Sequence, residues 1–198
     1  MAESTPIDSP TPTDDPRTAW LMRYEAWLKL LARLEIDSRF QGKFSESDAV
    51  QQTLLEAWRC WDRFRGDNET ARRAWLRQIL AHQLARLARH YGGTLKRDAA
   101  REVSLENTLA QSAARLEGLL AVDQATPSGA VERHEEQLRL ATALERLPSD
   151  YRDVIVLRHL EDLSHEEIAA RMGRSAGAVR MLWLRALAAL KQEVAEPR

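Results

Sequence analysis

The chain has one cysteine, Cys60, in 198 residues. A lone thiol can form neither an internal disulfide nor a cysteine-built zinc site, and it suits a reducing compartment. No run of 18 apolar residues occurs, so no segment reads as a membrane-spanning helix. The N-terminus lacks the basic-then-apolar pattern of a secretory signal, and a cytoplasmic protein without membrane insertion is expected. No stretch alternates apolar and polar residues as a half-buried strand would, so the expected fold class is all-α. The five histidines, at 82, 90, 134, 159 and 165, are spread over several predicted helices. His134 with Glu135 and Glu136 does not make a zinc-protease signature, and Gly92-Gly93 alone does not make a phosphate loop. Neither enzyme activity nor a cofactor or metal is expected. The net charge is −1, too small for the chain as a whole to attract nucleic acid.

Charge is nevertheless unevenly placed. From Arg59 to Arg101 eleven Lys/Arg stand against four Asp/Glu, which predicts a basic face. Residues 1–17, rich in proline and acidic up to Asp15, read as a disordered acidic tail. Apolar residues at helical spacing predict a helix over Thr18–Leu34. A second is expected from a Ser45/Asp48 capping box to about Trp61, and a third over Arg72–Tyr91. Arg65–Thr70 reads as a polar loop. Thr94–Gly129 is weaker, with partial helix over Val103–Leu116 and a turn cluster at Ala125–Gly129. Ala130–Leu147 is predicted helical, stopping before Pro148, with Ser149 as the next N-cap. Two small helical domains result, 18–101 and 131–194, joined by a flexible linker, 102–130.

The most specific local pattern is YRDVIVLRHLEDLSHEEIAARMGRSAGAVRMLWLRALAALK. Ser164 with Glu167 is a capping box, Gly173 a left-handed stop, and Ser175 an N-cap that restarts a helix. That is helix-turn-helix spacing. On a helical wheel Val179, Trp183, Ala186 and Leu190 form the core face, while Gly177, Arg180, Met181 and Leu184 point away. Arg174 and Arg180 suit phosphate or guanine; Met181 and Leu184 suit thymine methyls or a protein partner. A helical hairpin used for protein association is the alternative.

A second pattern interleaves aromatics with arginines: Trp58, Arg59, Trp61, Arg63, Phe64 and Arg65, then Arg72, Arg73 and Trp75. Aromatic faces stack on unpaired bases while arginines follow the backbone. Trp58 and Trp75 are expected in the core, leaving Trp61 and Phe64 for single-stranded DNA.

Three blocks, SESDAVQQTLLEAWRCWDRF, RRAWLRQILAHQLARLARH and LPSDYRDVIVLRHLEDLSHEEIAARMGRSAGAVRMLWLRALAAL, together resemble the conserved domains of bacterial sigma-70-family factors. The similarity is greatest to the small extracytoplasmic-function group, which keeps regions two and four. The resemblance implies a region-two-like helical bundle and a region-four-like helix-turn-helix domain. It implies a non-catalytic sigma factor that binds core RNA polymerase, recognises promoter DNA at minus-thirty-five and minus-ten, and promotes melting for transcription initiation. It leaves room for an anti-sigma factor. Residue by residue, it implies polymerase binding by Asp48, Gln51, Gln52, Leu55 and Glu56. Minus-ten contacts are implied for Trp61, Phe64, Arg65, Asp67, Asn68, Arg72, Arg73, Arg77, His82 and Arg86. Minus-thirty-five contacts are implied for Arg174, Ser175, Gly177, Arg180, Met181, Leu184 and Arg185. The chain departs from the family pattern at Leu182, where arginine is common, at Ala178, where threonine is, and at His82, where asparagine is. A DNA-binding regulator that does without polymerase and a helical interaction protein are the rival readings.

Overall fold

The computed structural model describes residues 15–36, 44–92, 98–121 and 130–195, with side chains described over 15–36, 44–90, 103–116 and 134–195. All regular structure among these residues is helical. The helices are α1 (Pro16–Met22), α2 (Glu25–Glu35), α3 (Glu46–Arg59), α4 (Glu69–Gly92), α5 (Asp98–Ala121), α6 (Ala130–Arg146), α7 (Ser149–His159), α8 (His165–Met172) and α9 (Ala176–Ala195). A 3₁₀ turn, Trp61–Arg63, follows α3. No described helix is long and apolar enough to cross a membrane.

The first expected helix is two. α1 begins at Pro16, where the ring's fixed φ suits the first turn, and the Asp15 carboxylate caps it by accepting from the Arg17 N–H at 2.8 Å. Residues 15–17, expected in the tail, therefore belong to the fold; residues 1–14 lie outside the described ones. At Arg23–Tyr24 the amides bond three residues back, to Trp20 and Leu21, and the chain turns before α2. The break lets Tyr24 and Trp27, both fully buried, stand edge to face with ring centroids 6.0 Å apart.

The expected capping box of α3 is present. Ser45 Oγ accepts from the Asp48 amide at 3.1 Å, and the Ser45 amide donates to Asp48 Oδ2 at 2.8 Å. α3 ends at Arg59, short of Trp61. The N-cap of α7 is Pro148, and Ser149, expected there, is the first helical residue. The expected stop of α4 at Gly92-Gly93 is described only through Gly92.

The helix expected over Val103–Leu116 is present and longer than expected. It is α5, which runs from Asp98 to Ala121, takes up most of the expected 102–130 linker and packs along α4 and α2. Leu109 and Leu116 are fully buried and Ala113 nearly so. Burying two leucines is worth about 3–6 kcal/mol, enough to hold a segment whose own pattern is weak. Residues 122–129, with their turn cluster, lie outside the described ones. One hydrophobic core, from Leu21 to Ala186, runs through both halves. α6 lies on α2 and meets α5 and α9. Arg33 of α2 sits at this junction, 2.5 Å from Glu46, 3.8 Å from Glu145 of α6 and 3.9 Å from Asp153 of α7. Burial is the largest single influence on Glu46 and pushes it up, but the hydrogen bond from Arg33, a backbone hydrogen bond and the charges of Arg33 and Arg152 together hold it below the usual carboxylate range. At Asp153 burial prevails over Arg33 and Arg152 and raises the pKa.

Candidate nucleic-acid interface

The helix-turn-helix is built by its caps. Ser164 Oγ accepts from the Glu167 amide at 3.2 Å, and Glu167 Oε2 accepts from the Ser164 amide at 2.8 Å. Those bonds hold Glu167 below its ordinary pKa. Gly173 ends α8 at φ 63° and ψ 36°, a conformation that leaves no steric cost only for glycine. Ser175 Oγ then accepts from the Ala178 amide at 3.2 Å and opens α9. Val179, Leu182 and Ala186 are buried against α7 and α8, with Trp183 and Leu190 half-buried.

Aromatic rings pack between α9 and the two helices beneath it. The Trp183 indole N–H donates to His159 Nε2 at 3.1 Å, and His165 meets the Trp183 ring edge-on at 5.6 Å. Burial and the adjacent Arg158 hold His159 below the usual histidine value, which keeps the acceptor nitrogen unprotonated.

The expected minus-thirty-five residues Arg174, Ser175, Gly177, Arg180, Met181, Leu184 and Arg185 are all exposed on one end of the C-terminal half. Two arginines hold internal partners: Arg174 meets Asp150 at 2.5 Å, and Arg180 meets Glu166 at 3.2 Å. Such exposed pairs are worth about 0–1 kcal/mol, so a phosphate can displace the carboxylate cheaply. Leu182 is a core residue here, only 9% exposed. An arginine at that position would have to leave the core, which is the physical sense of this departure from the family pattern.

The first half presents its expected minus-ten residues less uniformly. Arg65, Asp67 and Asn68 are exposed on the segment before α4. Asn68 Oδ1 accepts from the Ala71 amide at 2.8 Å, and its Nδ2 donates to Asp67 at 3.0 Å. Asn68 thus caps α4 as well as facing solvent. Gly66 is required by packing: a Cβ there would lie 2.7 Å from Ala71 Cβ and closer still to the tip of the Phe64 ring. Phe64 folds back on Trp75, centroids 4.9 Å apart, and Trp61 meets Trp20 and Trp75 edge to face at 5.2 and 6.3 Å. Trp61 and Phe64 are half-buried in this cluster, while Trp58, expected in the core, is 37% exposed with the Arg17 guanidinium 5.4 Å from its ring.

Along α4, Arg72, Trp75, His82 and Arg86 share a face on which His82 and Arg86 are exposed and Arg72 and Trp75 half-buried. Arg72 lies over Trp20 at 5.5 Å and pairs with Glu69 at 3.6 Å. Arg73 is a correction. It is 3% exposed, stacked 4.8 Å over Trp27 and hydrogen-bonded to Gln137 of α6, so it is a cross-brace between the halves and cannot reach DNA in this arrangement. Arg77 points the same way. It lines a small cavity of about 210 Å³ with Arg73, Thr70, His134 and alanines of α5. At 100° per residue Arg77 and Arg86 are half a turn apart, so one helix face could not have presented both.

The expected polymerase-binding residues lie along the outer face of α3. Asp48, Gln51 and Gln52 are exposed, Leu55 is 42% exposed, and Glu56 is half-buried. Asp48 carries a second duty, since its bonds from Ser45 fix the helix start and lower its pKa. Glu56 accepts from Cys60 Sγ at 3.2 Å, and Gln52 accepts from Arg86 at 3.5 Å. The α3 face therefore runs directly into the exposed end of α4. No group of three or more His, Cys, Asp or Glu among the described residues is placed to hold a metal.

Comparison with known proteins agrees with this geometry. Residues 137–190, which span most of α6 through α9, match the family model "Sigma-70, region 4". The RNA polymerase sigma-E factor of Streptomyces coelicolor is 45% identical over 65 residues, 33% of this chain and 37% of the relative. That match thus spans little more than a third of the relative's length. The ECF RNA polymerase sigma-E factor of Escherichia coli is 29% identical over 157 residues, 79% of this chain and 78% of the relative. The solved sigma factor RpoE of Bartonella quintana, in complex with the anti-sigma factor NepR, aligns with 91% of this chain at 22% identity and a TM-score of 0.32, a likeness too slight to carry an argument. A region-four match laid over the capped helix-turn-helix, together with relatives 29% identical across four-fifths of the chain, makes this chain similar to sigma-70-family factors, extracytoplasmic-function sigma-E factors among them.

Proposed function

We propose that the chain is a promoter-specificity subunit: it joins core RNA polymerase, recognises promoter DNA and takes part in transcription initiation. The observation that carries this is the end of the helix-turn-helix. Capped α8, left-handed Gly173 and the exposed Arg174, Arg180 and Arg185 make an arm of the size and charge that enters a major groove. In this reading the second half binds the minus-thirty-five element. The Arg65–Asn68 segment and the Arg72, His82 and Arg86 face engage the minus-ten element, with Trp61 and Phe64 at its edge. Capture of an unstacked base beside Asn68 favours melting, because the polar groups and aromatic rings of this segment replace lost hydrogen bonds and stacking. The outer face of α3 docks on polymerase, where Gln51, Gln52 and Leu55 supply an amide and apolar patch. In this reading the two halves separate on the enzyme, which requires the packing of α6 on α2 to part as well as the Arg73–Gln137 brace to open when both promoter elements are engaged. Fluorescence titration of the labelled chain with core polymerase, followed by gel shift on promoter fragments, tests this. Saturable binding to core and polymerase-dependent shifts are expected; a chain that shifts DNA equally well without polymerase would show a free-standing regulator instead.

A further inference from the structure

At 100° per residue, Gly177, Met181, Leu184 and Ala188 fall along one line of α9, and all four are exposed. Met181 and Leu184 are each 52% exposed, whereas Val179 and Leu182 of the same helix are buried. Nothing lies within 4 Å of a Cβ built at Gly177, so the backbone at the head of this line is open to close approach. None of the four side chains can make the paired hydrogen bonds by which arginine, asparagine or glutamine reads a base. Exposed Arg180 stands to one side of the line and exposed Arg185 to the other. The result is an apolar strip with cationic edges.

Resting on the sigma-factor reading above, we propose that Met181 and Leu184 read the upstream promoter element through its thymine methyl groups. Among base edges in the major groove, the thymine C5-methyl is the one apolar group. An apolar side chain set against guanine or cytosine there would strip water from donors and acceptors and give nothing back. Set against a methyl, it removes apolar surface from water on both sides. Arg180 and Arg185 match the phosphates that border a groove, and their charge is what commits this strip to DNA and not to an apolar protein surface. Methionine, unbranched and flexible, can follow a methyl whose position shifts with local DNA shape.

The test uses the reconstituted holoenzyme. Its preferred upstream element is first selected from randomised duplexes. Each thymine is then replaced by deoxyuridine, which removes the methyl and nothing else. Loss of one contacted methyl should weaken binding about fourfold. Met181→Ala should abolish the thymine-over-uracil preference at one position and Leu184→Ala at a neighbouring one; both residues are exposed, so folding is spared. A holoenzyme that binds its selected element tightly but is indifferent to deoxyuridine at every position would overturn this inference and leave the sigma-factor reading intact. So would variants that weaken polymerase binding while leaving the uracil effect unchanged, since the strip would then serve a protein. A holoenzyme with no sequence preference in the upstream element would remove the reading and the inference together.

Discussion

Replacing Gly173 by alanine isolates the geometry of the turn on which the recognition helix depends. Gly173 holds φ 63°, and an added Cβ would meet nothing within 4 Å. No steric clash with the rest of the fold therefore enters, and the cost is that of holding an L-residue in the left-handed region. That cost is about 1–2 kcal/mol, with a β-branched residue worse and asparagine milder. Alanine also stiffens the unfolded chain, but at a positive φ this does not compensate. For a protein of this size about 1 kcal/mol lowers Tm by roughly 2–4 °C. Circular dichroism melts of the alanine, asparagine and valine variants should rank asparagine nearest the parent, alanine lower and valine lowest. Promoter affinity should fall in the same order, because a strained turn lets α9 drift on α8. Equal melting of all three variants and the parent would refute the left-handed turn, and with it the fixed helix-turn-helix angle.

His159 accepts from the Trp183 indole only while unprotonated. Burial and Arg158 hold its folded pKa below the ordinary histidine value of 6.5, so the unfolded chain binds the extra proton first. Stability from this group is present above about pH 6.5 and is lost as pH falls through the folded pKa; His159→Gln should flatten that part of the denaturation profile in urea. Gly66→Ala should push the Phe64 ring off Trp75 and cost about 1–3 kcal/mol by overpacking, visible as a lowered urea midpoint. On α3, Gln51→Ala with Leu55→Asp should weaken binding to core polymerase at unchanged helicity. Asp48→Ala should additionally cost about 1 kcal/mol of stability, since it breaks the capping box. Unchanged polymerase affinity in the Gln51/Leu55 pair would remove that face from the interface.

What the sequence made legible was local. Ser45 with Asp48, Ser164 with Glu167, Gly173 and Ser175 each act on the backbone within one turn, so their chemistry can be read from spacing alone. The exposed row of α9 was legible for the same reason, because its core stripe is strongly apolar. What the sequence hid depends on distant partners. The break at Arg23–Tyr24 lies inside a continuous apolar pattern, and its cause is the packing of Trp20, Tyr24 and Trp27. α5 has a weak pattern of its own and becomes a helix through the pocket that α4 and α2 offer Leu109 and Leu116. Arg73 reads as a surface cation until Trp27 and Gln137, 46 and 64 residues away, close around it. Trp58 and Trp61 exchange their expected places because α3 ends at Arg59, and the 3₁₀ turn swings Trp61 back toward Trp20.

The most direct test of the account is transcription by core RNA polymerase on a library of genomic fragments, with and without this chain, followed by sequencing of the transcript starts. The account predicts starts that appear only with the chain and share two sequence blocks at fixed separation, the upstream one lost when Arg180 and Met181 are both replaced by alanine. The same transcripts with and without the chain would contradict it.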